Sequence, residues 1–150
     1  MRIMQGDLIK LAQEGQFDII AHGCNCFCQM GAGIAKTIKS TFPEAYKADC
    51  LTVKGDKDKL GTCSFATVKV IEDNCDIVNA YTQYNWKGKN PKVDYDSVRK
   101  CMKWIKQKYT GKRIGLPKIG AGLAGGDWNI IQKIICEELA DENVTIVIFE

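Results

Sequence analysis

The sequence predicts an α/β fold: a mixed, mostly parallel sheet with helices on both faces. Three observations predict it. Short β-branched apolar runs alternate with segments of helical periodicity along most of the chain. Two of those runs, Asp18-Ile19-Ile20 and Arg113-Ile114-Gly115-Leu116, lead through glycine-bearing turns into helical segments. Two neighbouring strand-like runs, 63–71 and 75–83, are separated by only Glu72-Asp73-Asn74, a hairpin spacing.

Each element has its own signal. Residues 1–5 alternate weakly and form a short strand that Gly6-Asp7 ends. Asp7 is a good N-cap for the helix that opens at Leu8 and stops near Gly15. Phe17-Asp18-Ile19-Ile20-Ala21 is a short apolar run, expected as a buried strand entering the first glycine turn. Ile34, Ile38 and Phe42 recur at helical spacing up to Pro43, and Pro43 restarts a helix from its own first turn. Residues 55–61 read as a polar loop, and residues 84–92 as a polar loop carrying aromatics. Val98, Met102 and Ile105 give an amphipathic helix over 95–109. A strand over 113–119, a helix from Asp127 to about Ala140 and a terminal strand over 144–149 complete the order.

The 150 residues fit one domain, 1–150, with an ordinary 45% apolar and 26% charged content. No run approaches the roughly 18 apolar residues of a bilayer span. The N-terminus lacks the apolar core of a signal peptide, so a cytoplasmic protein is expected. A net charge of +3, with lysines grouped at 54–59 and 87–92, suits solvated faces better than a nucleic-acid groove. Of the eight cysteines, Cys24, Cys26 and Cys28 alternate beside the sole histidine, His22, but this spacing is not that of a structural zinc site. Structural free thiols in a reducing compartment are expected, with no metal and no cofactor.

The two turns carry the chemistry. The first runs from His22 to Ala35 and holds Gly31-Ala32-Gly33; the second, 116–128, packs Gly120, Gly122, Gly125 and Gly126 into seven residues. The first is neither a dinucleotide fingerprint, since no glycine stands at position 36, nor a nucleotide-binding lysine loop. A strand that ends in such a turn and opens a helix offers free backbone N–H groups and a positive helix end, which suit phosphate. Both turns lie at strand C-termini, so they can share one crevice and clamp a diphosphate between them. At its mouth His22 is either a general base, acid or nucleophile or a satisfied polar residue. Asn25 either bonds sugar hydroxyls or closes an Asx-turn. Asp7 either accepts a purine amine or only caps its helix, and Asp127 has the same ambiguity at the last helix.

Gly6-Asp7-Leu8, the stretch from His22-Gly23-Cys24-Asn25 to Met30-Gly31-Ala32-Gly33-Ile34-Ala35, and Leu116-Pro117-Lys118-Ile119-Gly120-Ala121-Gly122-Leu123 with Trp128 resemble the macrodomains, which bind ADP-ribose. The resemblance spans nearly the whole chain in the right order and implies a three-layer α/β/α sandwich. Ile20 to Cys26, Gly33 to Ala35, Phe42 to Ala45 and Leu60 to Cys63 are most similar to the small ADP-ribose 1″-phosphate phosphatases.

That likeness implies a metal-independent phosphatase releasing ADP-ribose and phosphate. It puts Asp7 and Leu8 at the adenine and Asn25 at the distal ribose. Gly31, Ala32, Gly33 and Ile34 would wrap the phosphates with Pro117, Gly120, Ala121, Gly122, Leu123, Ala124 and Gly125. The likeness makes His22 a catalytic residue, and the mechanism drawn from it takes His22 as base or nucleophile, with Asp127 as candidate proton partner. The expected partner is a small molecule, ADP-ribose or its 1″-phosphate, bound by a monomer. Nucleic acid would enter only as an ADP-ribosylated substrate.

Gly125-Gly126-Asp127-Trp128 looks more like macrodomains that remove ADP-ribose from nucleic acid or acidic side chains. They use a lysine in the 84–92 loop, for which Lys87 stands nearest, and an aspartate where this chain has Ala124. ADP-ribosyl hydrolysis and plain ADP-ribose binding are the alternatives.

Overall fold

The computed structural model describes residues 1–87 and 91–149. Residues 88–90 of the expected 84–92 loop, including the middle of its lysine group, lie outside the described residues. The elements follow in the order β1 (Arg2–Gln5), α1 (Leu8–Gln13), β2 (Ile19–Cys24), α2 (Gly33–Thr41), α3 (Pro43–Cys50), β3 (Cys63–Val70), β4 (Asp73–Tyr81), α4 (Tyr95–Tyr109), β5 (Arg113–Leu116), α5 (Trp128–Glu138) and β6 (Asn143–Ile148). One sheet holds all six strands in the order β1-β6-β5-β2-β4-β3, parallel except for the β3–β4 hairpin.

Period-2 alternation within the strands divides the core into two layers. Ile19, Ala21, Val78, Ala80, Ile114, Leu116, Val144 and Ile146 pack against α4 and α5. Ile20, Ile77 and Val147 pack on the other side against Leu8, Ile9 and Ala12 of α1, Ile38 of α2 and Ala45 of α3. The result is a three-layer α/β/α sandwich. Aspartates set three helix starts: Asp7 Oδ1 accepts from the Ile9 and Lys10 amides, Asp94 Oδ1 from Asp96 N and Asp127 Oδ1 from Asn129 N.

Some boundaries differ from expectation. The hairpin turn is Ile71-Glu72 rather than 72–74, because the ladder continues to the Val70–Asp73 pair. The turn puts β-branched Ile71 at φ 55° with its side chain in solvent, a strained choice that polar-residue statistics do not find. The polar loop at 55–61 contains a 3₁₀ turn, Lys57–Lys59, that tucks Lys59 inside. Strand β5 stops at Leu116, three residues short of the expected end, because the chain there turns into the second glycine loop. Strand β2 instead runs on past Ala21 to Cys24, and this matters most for the site.

Gly115 lies inside β5, and a Cβ there would come within 2.8 Å of the Phe17 ring. Gly115→Ala is therefore expected to cost about 2 kcal/mol of folding free energy by overpacking. Urea unfolding measures it, and an unchanged midpoint would contradict this packing.

Candidate functional site

Adjacent strands β2 and β5 send their chains to opposite faces of the sheet, β2 to α2 and β5 to α5. Such a switch point opens a crevice at the strand C-termini. A groove of about 930 Å³ lies there. Residues 31–35 of the first glycine turn form one wall, and Pro117–Gly120 with Gly122–Ala124 of the second form the other. At Gly33 the walls nearly touch: an added Cβ would come within 3.3 Å of Leu123 Cδ1.

Both walls present backbone donors. Helix α2 starts with Ala32 at its N-cap, which supplies no side-chain hydrogen bond, so the first amides of the helix remain open. The amides of Gly122, Leu123 and Ala124 donate to no backbone acceptor among the described residues. Gly120 and Gly125 at φ 75° and 70° fold the second loop, with Gly126 N–H donating to Gly120 O at 2.8 Å. The arrangement suits an anion held by main-chain N–H groups on both sides.

The two ends differ. Asp7, Leu8 and Ile9 meet Val147, Ile148 and Phe149 at the end under β1 and β6. Only Oδ1 of Asp7 is engaged in the α1 cap, and Oδ2 has no partner among the described residues. The end under β2 and β4 is formed by Asn25, Gln29, Gln83 and Trp86. The Asn25 amide closes its own turn, accepting from Phe27 N at 2.9 Å and donating to Gln29 O at 3.0 Å, and still faces the groove. Asn25 therefore closes an Asx-turn while lining the groove.

Of the expected ligand-binding residues, Asp7, Leu8, Asn25, Gly31, Ala32, Gly33, Ile34, Pro117, Gly120, Gly122, Leu123 and Ala124 line this groove. Ala121 and Gly125 do not; their amides donate to Lys118 O and Gly122 O and shape the loop from behind. Gly23, Cys24, Gln29, Thr37, Gln83, Trp86, Lys118 and Val147–Phe149 line it without having been expected. The rule that ligands sit at strand ends would have named 147–149, had the position of β6 between β1 and β5 been legible. An exposed tryptophan in a polar loop was the available signal for Trp86.

The three expected catalytic residues are not brought together. His22 is 0% exposed, because β2 continues past it in register with β4, His22 opposite Asn79 and Cys24 opposite Tyr81. Asn79 Nδ2 donates to Ala45 O at 2.9 Å, so its Oδ1 must accept from His22 Nε2–H at 2.7 Å. Burial pushes the imidazole down to about 4, only partly offset by that bond, so His22 is neutral. Cys24 Sγ stands 3.5 Å from Nε2 and 3.8 Å from Nδ1, nearly equidistant and so off the line of the Nδ1 lone pair. Burial pushes its thiol well up, and no thiolate–imidazolium pair forms.

The expectation that His22 stands at the mouth of the site is thus corrected. The imidazole is a buried strut under α3. It begins a chain that runs from Asn79 to Ser64, Tyr81 OH and Asp49, with links of 3.1, 2.8 and 2.7 Å. Asp127 lies on the α4–α5 side, where it caps α5 and its N–H donates to Tyr95 OH at 2.9 Å. It cannot be a proton partner for His22 across the sheet. Lys87 is exposed at the rim, its Nζ 5.4 Å from the Trp86 ring, and does not line the groove. Among the described residues, no group of three or more His, Cys, Asp or Glu side chains is arranged to hold a metal ion. Among them, too, no helix is long and apolar enough to cross a membrane.

Comparison with known proteins agrees with this architecture. The Macro domain family model matches residues 21–135. An uncharacterized 17.5 kDa protein from the tk-vs intergenic region of Enterobacteria phage T4 is 33% identical over 155 residues, covering 100% of this chain and 97% of its own. The macrodomain of Thermus aquaticus DarG is 25% identical with a TM-score of 0.74, over 99% of this chain and 97% of that one. Thermosipho africanus DarTG, solved in complex with ADP-ribose, is 20% identical with a TM-score of 0.73, over 99% of this chain and 42% of that one.

Proposed function

Since this chain belongs to the macrodomain family, we propose that its groove binds ADP-ribose. One observation carries the reading: two glycine-bearing loops, about ninety residues apart in sequence, face each other with free amides across one crevice. The ADP-ribose complex of Thermosipho africanus DarTG, which shares the fold, supports it. The diphosphate lies between the loops, the adenine beside Asp7 and Phe149, and the distal ribose beside Asn25, Gln83 and Trp86.

Asp7→Ser tests the adenine end separately from the fold. Serine retains the α1 cap, so the thermal midpoint stays close to wild type. Losing the free carboxylate oxygen weakens ADP-ribose binding about tenfold, or roughly 1.4 kcal/mol, in calorimetric titration. Wild-type affinity in Asp7→Ser would remove Asp7 from the ligand.

Hydrolysis of ADP-ribose 1″-phosphate is a second reading, favoured by the number of amides available to developing phosphoryl charge. Phosphoryl transfer demands mainly positioning and charge stabilisation, so the step does not require His22 as its base. Water oriented by Asn25 and Gln83 would attack phosphorus as the bond from phosphorus to O1″ breaks, and the water proton would pass to the departing O1″ of ADP-ribose. Phosphate release from ADP-ribose 1″-phosphate, followed by ³¹P NMR, tests it. Tight binding without release would mark a binding module, and turnover of ADP-ribosylated protein or DNA instead would mark an ADP-ribosyl hydrolase.

A further inference from the structure

At the end of the groove under β2 and β4 the lining includes the Trp86 ring, with Phe27 against it and Tyr84 against Phe27. Trp86 keeps 44% of its surface exposed. Phe27 meets the indole nearly perpendicularly, with centroids 5.8 Å apart at 81°, and meets Tyr84 at 4.9 Å and 68°. Among the described residues no ring lies parallel to Trp86.

Phe27 and Tyr84 are braced from behind. Cys26 N–H donates to Tyr84 O at 3.0 Å, Gly55 N–H to Cys26 O at 2.7 Å, and Tyr84 OH to Gly55 O at 2.9 Å. Phe27 lies so close over Gly55 that a Cβ there would come within 3.2 Å of its ring. An exposed indole whose neighbour Phe27 is held in this way is a ready surface for a flat partner, and stacking on tryptophan is tolerant of which ring it meets. ADP-ribose alone places only a sugar at this end.

We propose that Trp86 is a stacking platform for a planar heteroaromatic ring attached to the distal ribose, and thereby sets substrate preference. This rests on the ADP-ribose reading of the groove and adds the class of group carried beyond it. The ring stacks on the indole face opposite the Lys87 ammonium, which lies over the indole 5.4 Å from its centroid. A pyridine ring in a dinucleotide and a base in a nucleic-acid strand share this chemistry.

The test is affinity by calorimetry, using the full chain and four probes. These are ADP-ribose, 1″-O-methyl ADP-ribose, NAD⁺, and a short single strand carrying ADP-ribose on one base. Wild type is expected to bind the better of the two ring-bearing probes about tenfold more tightly than the methyl compound. Trp86→Ala brings that ratio to about one, and Trp86→Phe restores most of it. A stronger preference for NAD⁺ assigns the dinucleotide source, and one for the strand assigns nucleic acid. ADP-ribose binding without a ring preference in wild type overturns the inference alone. So does a Trp86→Ala variant that weakens all four probes equally, since Trp86 then packs only on the ribose. Failure of wild type to bind ADP-ribose overturns the groove reading and this inference with it.

Discussion

Gly122→Val is expected to weaken ADP-ribose binding at least a hundredfold, about 2.7 kcal/mol, while the free protein unfolds within about 2 °C of wild type. Among the described residues no atom beyond the adjoining residues lies within 4 Å of a Cβ added at Gly122 or at Gly31, and neither residue has the left-handed backbone that only glycine adopts readily. The free chain has room for a Cβ at both positions, and removing glycine narrows the unfolded ensemble slightly. What is lost is the space beside the open amides, where a diphosphate must come close. Gly31→Val on the opposite wall should behave the same way. Gly33 and Gly120, at φ 59° and 75°, would confound binding with strain and are poorer probes. Titration calorimetry with a parallel thermal melt separates the effects. Wild-type affinity in both valine variants would mean that the loops do not hold the ligand.

His22→Ala is expected to remove about 3 kcal/mol of folding stability, from a cavity under α3 and the loss of the donor to Asn79 Oδ1. Urea unfolding measures the loss. Ligand affinity of the folded fraction should stay within about threefold of wild type. Strong loss of affinity or turnover with unchanged stability would restore His22 to the site.

The same histidine gives a pH signature. Its native pKa of about 4 lies below the ordinary value of 6.5, so between these the unfolded chain binds a proton that the native chain does not. Stability is fully present above pH 6.5, declines as pH falls and has lost roughly 3 kcal/mol by pH 4. Burial holds the Asp49 carboxyl above its ordinary value, so Asp49 contributes in the opposite sense, and its partner Tyr81 stays neutral throughout this range. In His22→Ala the loss of stability on lowering pH from 6.5 to 5 should be gone, leaving only the opposite dependence from Asp49, and urea midpoints across that range check it.

The glycine loops were legible in the sequence because each combines three local signals: a β-branched run, clustered glycines and a helical repeat. Asp7, Asp94 and Asp127 cap their helices, and for Asp7 and Asp127 that role follows from position alone. His22 was misplaced because Ile19 to Cys24 is buried on both faces and lacks the polar alternation that marks the end of a half-exposed strand. Its partner is Asn79, 57 residues away, and no local pattern announces that pair. Phe149 joins the groove for a similar reason, through the ordering of strands in the sheet. Local chemistry identified the loops whose open amides line the groove, while strand pairing decided which side chains line it with them.

The most direct test is a ¹⁵N–¹H NMR titration of the wild-type chain with ADP-ribose, following the amides of 31–35 and 120–124 together. Both sets should shift with one shared saturation curve, while the buried His22 and Asn79 amides stay nearly still. Shifts confined to one loop, or none at saturating ligand, would contradict a diphosphate clamped between the two.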